Sequence, residues 1–266
     1  MALRTVTVNG LTYMESDVLG TRHAFTTRFG GVSEGIYASL NLGANRGDEP
    51  ERVRENYRLI GKALSIAPER LVFSRQVHEA EVRLVTAQDS QGDLFAPTPY
   101  AADGLVTVEK DVPLIIFTAD CIPVLLSDPA AGVIGAVHAG WRGTVLDIVG
   151  IAVKKMKAAG GSSAQDIRAA IGPGIGSCCF ETDSEVPRAI RRVLGSEADA
   201  FIERRTPEKA MVDLKGVNRA LLLRAGVLPE HIDVSEECTR CNPDKYWSHR
   251  YTDGQRGSQA SIIVRV

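Results

Sequence analysis

The 266-residue sequence lacks a charge excess of either sign: 31 Lys and Arg stand against 33 Asp and Glu, a formal net charge of −2. Nucleic-acid binders that work through bulk charge carry a basic excess or stripe, so that class is set aside. Long apolar runs are also missing. Leu114-Ile115-Ile116-Phe117 falls far short of the ~20 residues needed to span a bilayer. The opening residues MALRTVTVNG hold no apolar stretch of signal-peptide length. A soluble, cytoplasmic protein is expected, with neither nucleic acid nor membrane as partner.

Cysteine is sparse and odd in number: Cys121, Cys178, Cys179, Cys238 and Cys241. An odd count in tight clusters is not a secreted disulfide framework. In a reducing compartment such thiols are buried side chains, metal ligands or nucleophiles. Histidine is equally scarce, at His23, His78, His138, His231 and His249. Linker composition and internal repeats are absent too, so one domain over 1–266 is the economical expectation. A chain of this length buries well over half of its unfolded surface and needs no metal merely to fold. Any metal site is therefore expected to serve function.

What is present reads as an α+β fold. Residues 5–14 alternate and predict an opening strand, and a second strand is expected around 23–27. Val53, Tyr57, Ile60 and Leu64 recur at helical spacing and predict a helix over 49–66. Strand-like runs follow at 71–77, 81–87, 104–109, 113–118, 122–127 and 132–138. Helices are expected at 143–159, 184–194 and 213–225, with strands at 167–171 and 260–265. Strands arriving in runs, without regular βαβ alternation, favour α+β over a doubly wound sheet.

Three residues at predicted strand ends stand out: His78 in SRQVHEAEV, Cys121 in TADCIPVLL and His138 in GAVHAGWRG. Two imidazoles and a thiolate suit zinc, and three protein ligands leave a fourth position open. Their separations are not those of a zinc finger, so the fold must bring three strands together. Otherwise they are unrelated residues. Small residues after His138 let backbone approach a ligand, and Arg142 could clamp phosphate or carboxylate; a solvated arginine is the plain alternative. Asp120 would point away from Cys121 in a regular strand, as a supporting acid more readily than a ligand. Arg28, before Gly30-Gly31, and Asn41 in SLNLG are candidate substrate contacts, with a hairpin and a held turn as the simpler readings. Cys238-x-x-Cys241 is half of a zinc ribbon without a second CxxC. Adjacent Cys178 and Cys179 would complete four sulfurs only awkwardly, so an inert thiol is expected there.

The motifs TRFGGVS (27–33), SLNLG (39–43), QVH (76–78), ADGLVT (102–107), TADCIPVLL (118–126), HAGWRGT (138–144), IGPGIGSCCFE (171–181) and CT (238–239) resemble, in this order, the YfiH/YlmD laccase-domain family, which includes peptidoglycan-editing factors. The resemblance implies one α+β domain with two mixed β-sheets sandwiched between helices, similar to the cytotoxic necrotizing factor catalytic domain. It implies a zinc site at His78, Cys121 and His138, and phosphorolysis of adenosine, inosine and methylthioadenosine with adenosine deamination. The older label is multicopper polyphenol oxidase. One departure is Trp247-Ser248-His249-Arg250 followed by Gly257-Ser258, where relatives often carry an aromatic-Ser-aromatic-Arg run and then Gly-Arg. Arg256 is the candidate replacement for that last arginine.

Five histidines cannot build a blue copper centre and a trinuclear cluster, so a four-copper laccase is excluded. Copper remains an alternative metal for the His₂Cys set. The leading expectation is zinc-dependent purine nucleoside phosphorolysis, with purine nucleoside and phosphate as small-molecule partners. Zinc with Arg28 or Arg142 would position phosphate. The general acid or base is open between Asp120 and Cys178 or Cys179. An alternative is an amidase removing an aminoacyl group from UDP-muramic acid precursors, with Cys121 as a free nucleophile in one version. A scaffold with a vestigial site is the non-enzymatic alternative.

Overall fold

The computed structural model describes residues 3–266, so the first two residues of the expected 1–266 unit lie outside the described residues. The chain opens as a hairpin of β1 (Arg4–Val8) and β2 (Leu11–Glu15). The single strand expected over 5–14 is thus two. Asn9 and Gly10, at φ 52° and 84°, turn the chain between them, and Asn-Gly is the pair that a tight hairpin turn favours. β3 (Arg22–Thr26) and α1 (Pro50–Leu64) follow.

Five strands then arrive without an α-helix between them: β4 (Val82–Leu84), β5 (Gly104–Thr107), β6 (Leu114–Thr118), β7 (Ile122–Asp128) and β8 (Val133–Ala139). Residues 71–77 are not a strand. Val72 and Arg75 make only isolated bridges, to Leu114 and Ala101. The Gln76 side chain takes over the pairing, accepting from the Phe117 amide and donating to its carbonyl.

The helix expected over 143–159 is broken in two, α2 (Trp141–Val145) and α3 (Ile148–Gly160). Asp147, at φ 58°, ends the first and caps the second by accepting from the Gly150 amide. The remaining elements are β9 (Arg168–Ile171), β10 (Glu181–Asp183), α4 (Glu185–Leu194), β11 (Ile202–Arg204), β12 (Lys209–Val212), α5 (Leu214–Arg224), β13 (Ile232–Val234), α6 (His249–Thr252) and β14 (Gln259–Val264).

Two main sheets form. One is antiparallel, in the order β1-β2-β3-β14-β6; the other is mixed, in the order β13-β9-β7-β8-β5-β4. A third, small sheet, β10-β12-β11, was not expected; its strands are too short to show a period of two. The α+β class stands.

Alternation along the strands assigns the layers. Leu125, Ala136 and Leu105 on one sheet meet Leu114, Ile116 and Ile263 on the other. The opposite faces point outward. Val124, Leu126 and Val137 pack under Val149, Val153 and Met156 of α3, while Ile115 and Ile262 pack under Val53, Tyr57 and Ile60 of α1. The order of layers is therefore helix, sheet, sheet, helices. Cys121 immediately precedes β7, and His138 lies near the end of β8. Among the described residues, no helix is long and apolar enough to cross a membrane.

Candidate metal centre and substrate cavity

His78, Cys121 and His138 converge: one ligand atom from each lies within 4.8 Å of the others. Antiparallel pairing of β7 with β8 puts Ile122 opposite Ala139, which brings the residue before one strand beside the end of the next. His78 arrives on a loop at φ 63°, a conformation costly for a side chain that needs local support.

Asp103 supplies that support. Its carboxylate accepts the backbone amides of Val77, His78 and Glu79, each at 3.0 Å. The same carboxylate pairs with His138 Nδ1 at 2.8 Å. An ionised carboxylate only accepts, so Nδ1 of His138 carries the proton and Nε2 is left for the cluster. The two imidazole rings stand at 87°, with centroids 4.8 Å apart.

Gly140 closes the back of the cluster. A Cβ there would lie 3.1 Å from His78 Cδ2 and 3.4 Å from Cys121 Sγ, so the glycine of HAGW lets backbone pack against two of the donors.

The electrostatics are those of a thiolate–imidazolium pair. Burial alone would raise the Cys121 pKa, but the His138 and His78 imidazoles outweigh it and pull the thiol down to about 6. Burial alone would lower His138, yet the Cys121 charge and Asp103 hold it up at about 9. Asp103 lies below its ordinary range: burial opposes ionisation, but the His138 bond and the Glu79 and Val77 amides prevail. His138 is buried, Cys121 partly exposed and His78 exposed, so the cluster opens on one side. Two imidazoles, one thiolate and an open side fit a zinc ion with a free fourth position; His₂Cys is also a copper donor set.

The opening faces a cavity of about 500 Å³, within the usual range for small-molecule sites. Phe117, Ile175, Phe180 and Leu214 give it apolar walls, and Arg46, Arg250 and Arg256 make it cationic. Arg256 is mostly buried. Desolvation first, then repulsion from Arg46, lowers its pKa to about 10. It donates to the Gly257 carbonyl and Ser258 Oγ through Nη1, while its buried Nε has no protein partner.

The other candidates are placed as follows. Asp120 borders the cavity, but both its oxygens are engaged: Oδ1 accepts from Thr239 Oγ1 at 2.6 Å and Oδ2 from the Arg250 amide at 2.7 Å. Arg28 lies outside the cavity. Its guanidinium donates to the Ala38 and Pro243 carbonyls and stacks on Trp247. Asn41 is fully buried behind the wall, where Oδ1 accepts the Gly43 and Ser258 amides; it holds the loop that presents Arg256. Arg142 stacks over Trp141 and faces a neighbouring hollow with Thr182, Asp183 and Lys209.

Sequence reasoning missed Asp103, Arg46 and Gln76 as site residues. Asp103 lies inside the ADGLVT motif, and its signal was a charged residue just before an otherwise apolar strand. The four cysteines read as inert or unrelated thiols come together in space.

A family model described as "multi-copper polyphenol oxidoreductase laccase" matches residues 22–266. The chain is 39% identical over 248 residues to "purine nucleoside phosphorylase YlmD" of Geobacillus stearothermophilus, covering 92% of this chain and 90% of that one. It is 41% identical to a "purine nucleoside phosphorylase" of Deinococcus radiodurans, covering 97% and 94%. Among solved structures, Bacillus licheniformis "hypothetical protein YfiH" superposes with a TM-score of 0.93 at 34% identity, covering 99% of both chains. YlmD of Geobacillus stearothermophilus gives 0.92 at 37% identity, covering 98% of this chain and 97% of that one. With the match running from β3 to the C-terminus, the chain belongs to the multi-copper polyphenol oxidoreductase laccase family, alongside the YlmD and YfiH proteins it resembles.

Proposed function

We propose that the cavity carries out phosphorolysis of purine nucleosides with the help of zinc held by His78, Cys121 and His138. The observation that carries this reading is the pairing, in one cavity, of a His₂Cys donor set with a buried arginine whose Nε has no protein partner. The names borne by the YlmD relatives point the same way.

In phosphorolysis a phosphate oxygen bonds to ribose C1′ as the bond from C1′ to the purine nitrogen breaks, and the base leaves with the bonding electrons. Arg256 and Arg46 bind and orient the phosphate, neutralising charge that desolvation would otherwise make costly. Phe117, Ile175, Phe180 and Leu214 hold the flat base and exclude water. Asp103 keeps His138 in one tautomer and His78 in place. A metal held by the trio supplies Lewis acidity in the cavity when bound. That same acidity is what adenosine deamination requires, so inosine, adenosine and methylthioadenosine are the substrates proposed.

A second reading has an observation of its own. Cys121, His138 and Asp103 also make a thiol–imidazole–carboxylate series, the arrangement of a cysteine hydrolase. This would suit an amidase acting on an aminoacyl muramic acid precursor.

The test is phosphate-dependent release of hypoxanthine from inosine, run beside metal content by mass spectrometry on untagged protein purified without added metal. Turnover and metal lost together in His78→Ala, Cys121→Ala and His138→Ala support the phosphorylase. Metal-free protein that cleaves the muramyl precursor, dependent on Cys121 and one histidine, would overturn it in favour of the amidase.

A further inference from the structure

We infer that Cys178, Cys179, Cys238 and Cys241 form a second metal centre, a tetrathiolate zinc site that staples two loops of the cavity wall. It is separate from the His₂Cys cluster and stands whether or not the cavity acts on nucleosides.

The four sulfurs lie within 4.8 Å of one another. Cys241 Sγ is 3.5 Å from Cys178 Sγ and 3.3 Å from Cys179 Sγ. Sulfurs bound to one tetrahedral zinc sit about 3.8 Å apart, given Zn–S bonds of about 2.3 Å. The observed spacing is close to that, and all four thiols are free.

Adjacent cysteines look unsuited to a shared ion because neighbours on a strand face opposite ways. Here Cys178 and Cys179 are not on a strand. The amides of Cys179 and Phe180 both donate to the Gly176 carbonyl, at 3.0 Å each. That turn swings both side chains toward the Cys238-x-x-Cys241 loop.

The surroundings of Cys238 are those of a thiolate. The Gly176 amide donates to Cys238 Sγ at 3.1 Å. Glycine at 176 leaves room for this approach, since a Cβ there would lie 3.0 Å from Cys238 Cβ and 3.2 Å from Cys178 Sγ and would crowd both cysteines. Four thiolates on a divalent ion leave a double negative charge. Arg240, whose Nη1 lies 3.6 Å from Cys179 Sγ, and the buried Lys215, whose Nζ donates to the Ser235 and Glu237 carbonyls just before Cys238, supply two positive charges beside it. Soft sulfur donors in this number select zinc among the common divalent cations.

The consequence reaches the cavity. Thr239, inside the CxxC, donates to Asp120 Oδ1, and the Ile175 amide donates to the Asp120 carbonyl at 2.8 Å. Ile175 and Phe180 line the cavity. The ion thus ties the loop carrying those two walls to the segment that holds Asp120 beside Cys121. A chain of this size needs no metal to fold; this one fixes a loop.

The test counts metal and sulfur. Untagged wild-type protein is expected to hold about two zinc ions per chain, one per donor set. Cys178→Ser and Cys241→Ser each lose one and keep the ion that Cys121→Ala removes. For variants that fail to fold, zinc X-ray absorption on the wild type is decisive: two sites share five sulfurs, whereas the His₂Cys site alone shows one per ion. Metal that disappears entirely with Cys121→Ala would overturn the inference. So would four thiols that alkylate freely in native protein, or a never-reduced protein whose mass reveals a disulfide among them in place of the ion.

Discussion

Asp103 Oδ1 lies 2.8 Å from His138 Nδ1, and the same oxygen accepts the His78 amide at 3.0 Å. One buried carboxylate therefore sets the tautomer of one histidine and the backbone of the other. Asp103→Asn offers only one acceptor oxygen, and its NH₂ must face either a backbone amide or the protonated Nδ1. We expect metal affinity to fall about 10–100-fold and stability to drop by about 1–3 kcal/mol. Competition with a chromophoric chelator and urea unfolding check the two effects separately. Unchanged affinity would show that the histidines are held without Asp103.

Gly140→Ala probes the packing behind the donors. The added methyl would come within 3.1 Å of His78 Cδ2, so the ring must give by a few tenths of an ångström. Gly140 has φ −64°, which alanine adopts without strain. The fold should be retained while metal affinity falls about tenfold, equivalent to ~1.4 kcal/mol. A variant that unfolds before it loses metal would place the crowding elsewhere.

The donor trio was legible in sequence because Cys121 and His138 sit at strand ends where polar side chains have no core role; His78 stands out on the same ground although the strand expected before it is a loop. The longer elements were legible because Val53, Tyr57, Ile60 and Leu64 keep a helical period and the paired strands β7 and β8 are largely apolar and buried throughout. Three things were not. Gln76 pairs through its side chain, which no backbone pattern records. Arg46 meets Arg256 in the cavity, an encounter between residues far apart in the chain. Cys178 and Cys179 share a face only because Gly176 makes a turn, and strand-based reasoning separates them.

Metal-stripped protein should show an unusually acidic thiol at Cys121. Its pKa is about 6 against an ordinary 9.0, so the thiolate persists as pH falls and is lost only through about pH 6. Alkylation at this residue, followed by peptide mass spectrometry, should stay fast at pH 7, where an ordinary thiol is almost wholly protonated. His138→Ala removes the principal partner and should return the midpoint toward the ordinary value. The linkage has a definite sign. With its folded pKa lowered, Cys121 stabilises the metal-free fold above the ordinary thiol pKa and loses that contribution as pH falls through about 6.

Arg256 gives the sharpest test of the phosphate assignment. Its Nε is buried without a protein partner and Arg46 lies close enough to repel it, a state that a bound dianion would relieve. Arg256→Lys keeps the charge but loses the planar fork that binds two phosphate oxygens at once. The KM for phosphate should rise about tenfold or more, corresponding to ~1.4 kcal/mol or more of lost binding, while the KM for inosine moves little. Ser258 and Asn41 remain in place in that variant, so the cavity wall keeps its shape. A parallel rise in both KM values would mean that Arg256 shapes the whole cavity; an unchanged phosphate KM would move the anion to Arg250 or Arg46.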